Sequence, residues 1–108
     1  MNNITIAGNI GKDAEVRSTP NGDRVAGWSV AVNEGKDRTT WFSCSLWGDR
    51  AEKLAPFIRK GDRIAVSGSV SARAHDGKAY LEVRVSQVTF LSSKREDYRP
   101  GLDDEIPF

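Results

Sequence analysis

Only one stretch of this chain repeats its apolar residues at helical spacing, and it lies between stretches that alternate apolar and polar residues. That order limits the fold more than any other feature. Ile4, Ile6, Gly8 and Ile10 alternate with polar or small residues, the period-two signature of a half-buried strand. Thr19-Pro20-Asn21-Gly22-Asp23 reads as a turn, because Pro fixes φ and Asn-Gly tolerates positive φ. Val25 to Val32 forms a second strand with Trp28, Val30 and Val32 on one face, which predicts a core position for Trp28. The polar run Asn33 to Arg38 is a loop leading to a third strand, Thr39 to Trp47. Asp49 to Glu52 has the pattern of a capping box, and Ala51, Leu54, Ala55 and Ile58 then make one apolar helix stripe. Pro56 keeps that helix short or bent, while Arg59, Lys60 and Gly61 suit its C-terminal end.

Arg63 to Ala74 and Ala79 to Phe90 are two more strands, joined at Asp76-Gly77, a strong hairpin signal. Val88 and Phe90 reverse the parity of Leu81, Val83 and Val85, so a bulge is predicted near Ser86 and Gln87. Three strands, a helix and two strands is the order of an OB-fold: all-β with one short helix, closed into a five-stranded barrel. An SH3-like barrel or a small α+β sheet competes, and the helix position favours the OB-fold. A chain of 108 residues holds one such domain. The expected boundary follows Leu91, with residues 1–91 as the barrel and 92–108 as a polar, disordered tail.

Charge divides at the same place. Residues 1–91 carry 13 Lys and Arg against 10 Asp and Glu, whereas 92–108 carry three against five. A mildly basic body with an acidic end is the asymmetry of a nucleic-acid binder with a separate protein-docking segment, although small imbalances of this kind are common. The sequence has no run of ~18–20 apolar residues for a membrane span, and Met1-Asn2-Asn3 lacks a signal-peptide pattern. A single cysteine, Cys44, leaves no internal disulfide and agrees with a reducing compartment, so a cytoplasmic location is expected. One histidine, and no nucleophile elbow, Walker loop or metal-ligand spacing, point away from an enzyme and from any cofactor or metal.

The third strand carries the first functional signal. Thr40, Phe42, Cys44 and Leu46 share the core face, on which Cys44 reads as a small buried hydrophobe. Trp41, Ser43, Ser45 and Trp47 share the other face, where two tryptophans among serines suit a stacking platform for unpaired bases. The competing reading is that one tryptophan covers a barrel end or a subunit interface. Arg17, Arg24, Lys36, Arg38, Arg59, Lys60, Arg73, Lys78 and Arg84 are candidates for phosphate contacts. Each alone reads equally well as a solvated charge, and together they supply salt-sensitive binding. At the end of the tail, Asp103-Asp104-Glu105 precede Ile106-Pro107-Phe108, apolar residues with no core to join. A partner pocket with a basic rim and an apolar hole is their economical destination.

These residues resemble the bacterial and phage single-stranded-DNA-binding proteins. Asn3 through Asp13 is similar to the family's opening strand, and Glu15-Val16-Arg17 through Pro20-Asn21-Gly22 to its first turn. Thr40-Trp41 with Leu46-Trp47-Gly48 looks like its third strand, Ile58-Arg59-Lys60-Gly61 like its helix end, and Asp103 to Phe108 like its acidic tip. The resemblance implies an OB-fold that binds single-stranded DNA without sequence preference, usually as a homotetramer, with a dimer as the alternative. It also implies recruitment of replication, recombination and repair proteins through Asp103, Asp104, Glu105, Ile106, Pro107 and Phe108.

By position, Trp41 and Trp47 match base-stacking aromatics, Lys60 and Arg73 match DNA-contacting basic residues, and His75 stands where a further stacking tryptophan is common. Arg17 and Arg84 complete the expected DNA-binding set. The short loop before the third strand and the short link to the tip depart from the family pattern. They suggest a compact, phage- or prophage-like member, nucleoid-associated or in a host cytoplasm. A primosome-type adaptor that bridges proteins, and an OB-fold module for RNA or oligosaccharide, are the competing functions.

Overall fold

A computed structural model describes residues 1–91, so the expected tail and its tip, residues 92–108, lie outside the described residues. The described residues form six strands, β1 (Ile4–Ile10), β2 (Glu15–Ser18), β3 (Arg24–Asn33), β4 (Thr39–Trp47), β5 (Arg63–His75) and β6 (Lys78–Phe90). Between β4 and β5 lie α1 (Asp49–Leu54) and a 3-10 turn, Ala55–Phe57. The sheet order is β1-β5-β6-β4-β3-β2, and β1 also pairs with β3, so five strands close into a ring. Among the described residues only β4 and β6 run parallel; every other pairing is antiparallel. The closed five-stranded ring, with its helix after the third long strand, bears out the expected architecture.

Ring closure demands close approach where β1 crosses from β5 to β3. A Cβ on Gly8 would sit 2.2 Å from the Ala31 carbonyl oxygen, so only glycine lets the two backbones meet there. The inward residues of the ring then form one core. Ile6, Ile10, Trp28, Val30, Phe42, Cys44, Leu46, Ile64, Val66, Val83 and Val85 are all buried, and Ala51 and Ile58 close one end. Trp28 is 1% exposed, as its face predicts. Burial pushes the Cys44 thiol up from 9.0 to about 12, because a thiolate would lose its hydration there.

Two sequence expectations hold in detail. Asp76 and Gly77 have φ of 54° and 79° and join the paired residues His75 and Lys78, the two-residue hairpin turn predicted there. On β6 the register slips so that Ser67 faces Gln87 while Gly68 faces Val85, which leaves Ser86 as the bulged residue. Its hydroxyl donates to the Ser67 carbonyl at 3.1 Å, and its own carbonyl accepts from Arg50 of α1 at 2.7 Å. The bulge is thereby pinned to the helix.

Three expectations need correction. Asp49 is the first helical residue and does not cap α1; Gly48, with φ 92°, precedes the helix and offers no side chain for a capping box. The start of α1 is instead held by the Gly48 N–H, which donates to the Arg24 carbonyl at 2.9 Å, and by an Arg24–Glu52 ion pair. The segment Glu15–Ser18, read as part of a turn, is a strand on β3 whose four residues are all exposed. With no buried face it has no alternation to read. Finally, Phe90 has the parity expected beyond the bulge but is 39% exposed, lying edge-on to Phe57 with ring centroids 6.4 Å apart.

A candidate nucleic-acid interface

The outward residues of β2, β3, β4, β6 and β5 line up in rows across one curved face. In one row Arg17 pairs with Val25, and Val25 with Trp47. The next row runs from Glu15 through Gly27, Ser45 and Arg84 to Ser69. A third runs from Ser29 through Ser43 and Glu82 to Ser71. In the last, Ala31 pairs with Trp41, and Tyr80 pairs with Arg73; Trp41 and Tyr80 sit one step before the Phe42–Leu81 pairing of the parallel strands. On β3 and β4 small side chains thus floor the middle of the face, with Arg84 and Glu82 beside them on β6, and aromatic rings stand at its two ends.

Trp41 is 56% exposed and Trp47 36% exposed, on the face opposite to Phe42, Cys44 and Leu46. Six residues of extended chain separate them, roughly 20 Å. Exposed rings of this size lose hydrophobic stabilisation unless a ligand covers them, and a base stacked on each recovers about 1–3 kcal/mol. Arg84 holds its guanidinium 5.1 Å from the centroid of the Trp47 ring, a cation–π contact, and among the described residues it has no carboxylate partner. Arg17 pairs loosely with Glu15 at 3.2 Å while remaining largely exposed. With Lys12, Gly27, Ser29 and Ser43 these two line a groove of about 330 Å³ beside the serine floor.

The remaining predicted residues are placed less uniformly. Arg73 lies on the face but is paired with Glu82 at 3.0 Å and sits 5.8 Å from the centroid of the Tyr80 ring. His75 continues the same side of β5 to the hairpin tip, with its Nε2 3.4 Å from Asp76. From Ser71 to Tyr80 the hairpin is exposed on all sides and projects beyond the core. Lys60 is not on the strand face. It follows the 3-10 turn, and its backbone N–H donates to Asp13 at 2.7 Å, which ties it to the segment Gly11–Asp13 at the edge of the face.

Two contributors were not in the sequence-derived set. Tyr80 is 40% exposed and shares a cleft of about 230 Å³ with Trp41, Ser29 and Ser43. Its outward parity was legible, but its nearness to Trp41 depends on the parallel pairing of β4 with β6. Gly11 is the second. A Cβ there would lie 2.5 Å from Trp41 Cζ3 and 2.6 Å from Ser29 Oγ, so the glycine leaves the space that the Trp41 ring occupies. Among the described residues no cluster of His, Cys, Asp and Glu is arranged to hold a metal ion, and no helix is long and apolar enough to cross a membrane.

Residues 1–91 match the model of the single-strand binding protein family. The chain belongs to that family. Its OB-fold accounts for the ring, the helix position and the parallel β4–β6 pair. Among curated relatives the chain is similar to single-stranded DNA-binding protein 3 of Listeria innocua, with 34% identity over 88% of this chain and 66% of the relative. It is 32% identical to the single-stranded DNA-binding protein of Oceanobacillus iheyensis, over 87% of this chain and 65% of the relative. A third relative, single-stranded DNA-binding protein 1 of Streptococcus agalactiae, is 31% identical over 99% of this chain and 69% of its own length. The chain thus spans about two thirds of the length of these curated relatives. Membership of a binding-protein family also agrees with the non-enzymatic reading of the sequence.

Proposed function

We propose that this protein binds single-stranded DNA without sequence preference, along the face that runs between Trp41 and Trp47. The observation that carries the reading is two exposed tryptophans at the ends of one strand, with serines and Gly27 between them. Every base has a π-face, so stacking gives affinity that does not depend on which base is present. Arg17, Arg84, Lys60 and His75 flank that path and are assigned the backbone and outer contacts that make binding salt-dependent. The names of the Listeria, Oceanobacillus and Streptococcus relatives support the same substrate.

The acidic tip, Asp103 to Phe108, is proposed to recruit replication, recombination and repair proteins, with its carboxylates on a basic rim and Phe108 in an apolar pocket. The protein is proposed to work in the cytoplasm as a homotetramer, or as a dimer. Anisotropy of labelled oligo-dT at matched salt tests the DNA assignment. Trp41→Ala combined with Trp47→Ala should weaken binding by about 30-fold or more, from ~1–3 kcal/mol per stacked base. Binding as tight as wild type would overturn it. Deletion of residues 103–108 should abolish partner recruitment while oligo-dT binding survives, and retained recruitment would remove the tip from the reading. Sedimentation counts the subunits.

A further inference from the structure

We propose that Trp41 and Tyr80 together form a seat for one unpaired base, and that Arg73 is a positioning residue for Tyr80 and makes no phosphate contact. The inference rests on the reading of this face as a single-stranded-DNA interface and adds a site to it. Tyr80 is an exposed aromatic on a hairpin that has already left the core, so packing within the ring does not account for it. Parallel pairing of β4 with β6 brings it beside Trp41, and the two rings line one cleft with Ser29, Ser43 and Ala79. At about 230 Å³ the cleft is below the ~300–1,000 Å³ of drug-sized sites and suits a single flat ring system.

The chemistry of the walls fits a base of any identity. Two aromatic rings offer stacking, and the Ser29 and Ser43 hydroxyls both donate and accept hydrogen bonds, so they pair with either type of group on a base edge. Gly11 keeps the Trp41 side open, since any larger residue would displace that ring. On the far side of Tyr80, its cross-strand partner Arg73 lies over the ring at 5.8 Å. A planar guanidinium can lie against an aromatic face as well as fork to an anion. Here the anion is already supplied by Glu82, 3.0 Å away in the neighbouring row, and its carboxylate repels a phosphate approaching Arg73. Arg73 is thereby fixed as a brace behind Tyr80.

The test uses the full chain and labelled oligo-dT, titrated at several salt concentrations. Tyr80→Ala should weaken binding at least about fivefold, and Tyr80→Phe should stay within about twofold of wild type because the ring is kept. Arg73→Gln combined with Glu82→Gln removes the ion pair with no change in net charge, and should weaken binding while leaving the slope of log K against log salt unchanged. Loss of a phosphate contact would make that slope shallower by ~0.7. Tight binding by both wild type and Tyr80→Ala overturns the seat, and a shallower slope for the Arg73→Gln, Glu82→Gln double variant overturns the positioning role. Failure of wild type itself to bind oligo-dT would sink the broader reading instead, so the two failures are distinguishable.

Discussion

At one end of the outer face Trp47 lies under Arg84, and at the other Trp41 shares a cleft with Tyr80. Both ends combine an aromatic ring with an arginine, yet the arginines have different neighbours. Arg84 has no carboxylate partner among the described residues and remains a full positive charge beside the serine floor. Arg73 has its charge offset by Glu82 and its guanidinium 5.8 Å from the centroid of the Tyr80 ring. The difference separates two sources of affinity that are usually entangled. The Trp47 end should contribute charge and one stacking surface, whereas the Trp41 end should contribute stacking with little charge.

The largest expected effect comes from the rings. Trp41→Ala should cost more oligo-dT affinity than Trp47→Ala, on the order of tenfold or more against about fivefold, because it dismantles a two-sided site. Equal losses in anisotropy titrations would erase the asymmetry. Gly11→Val should come next, with a loss of several-fold, since its side chain must push the Trp41 ring out of place. In a Trp41→Ala background the same change should add nothing, and an additive loss would show that Gly11 acts elsewhere.

A smaller effect should separate the arginines. Arg84→Gln is expected to make the salt dependence shallower by ~0.7 for one lost phosphate contact, and Arg73→Gln combined with Glu82→Gln to leave it unchanged. Identical slopes would mean that the Glu82 pair does not distinguish the two.

The smallest expected change is none at all, at Cys44 beneath the face. In every one of these variants the thiol should stay unreactive towards thiol reagents at pH 8, because burial holds it in the neutral form. Rapid labelling would show that a substitution has opened the core and that its binding data no longer report the face. The sign of the pH effect follows from the raised value. The native state holds this proton more tightly than the unfolded chain, so the thiol contributes no pH dependence below 9.0 and stability falls as pH rises from there towards about 12. A midpoint of denaturation that rose between pH 9 and 11 in wild type relative to Cys44→Ala would contradict it.

Much of this arrangement was legible in the residue order because it depends only on local periodicity. Alternation along Thr39–Trp47 put Cys44 inside and both tryptophans outside, and the structure agrees. Asp76-Gly77 marked the hairpin, and the parity change after Val85 pointed to a bulge near Ser86 and Gln87, which the register places at Ser86. The errors fell where local chemistry has close alternatives. Asp49 resembles a cap, but the chain turns at Gly48, and Glu15–Ser18 pairs on an edge with no apolar face to reveal it.

The sequence by itself determined which side chains face outward, since a strand turns over every residue regardless of its neighbours. It also determined the family, through motifs spread over residues 1–91. Which outward residues meet was decided only by the tertiary structure. Trp41 reaches Tyr80 through the parallel β4–β6 pair, Arg73 meets Glu82 across the hairpin, and Gly11 makes room for a ring from a distant strand. Those neighbours are set by how the ring closes and in what register. That is a balance of long-range backbone pairing and core packing, and no single segment contains it.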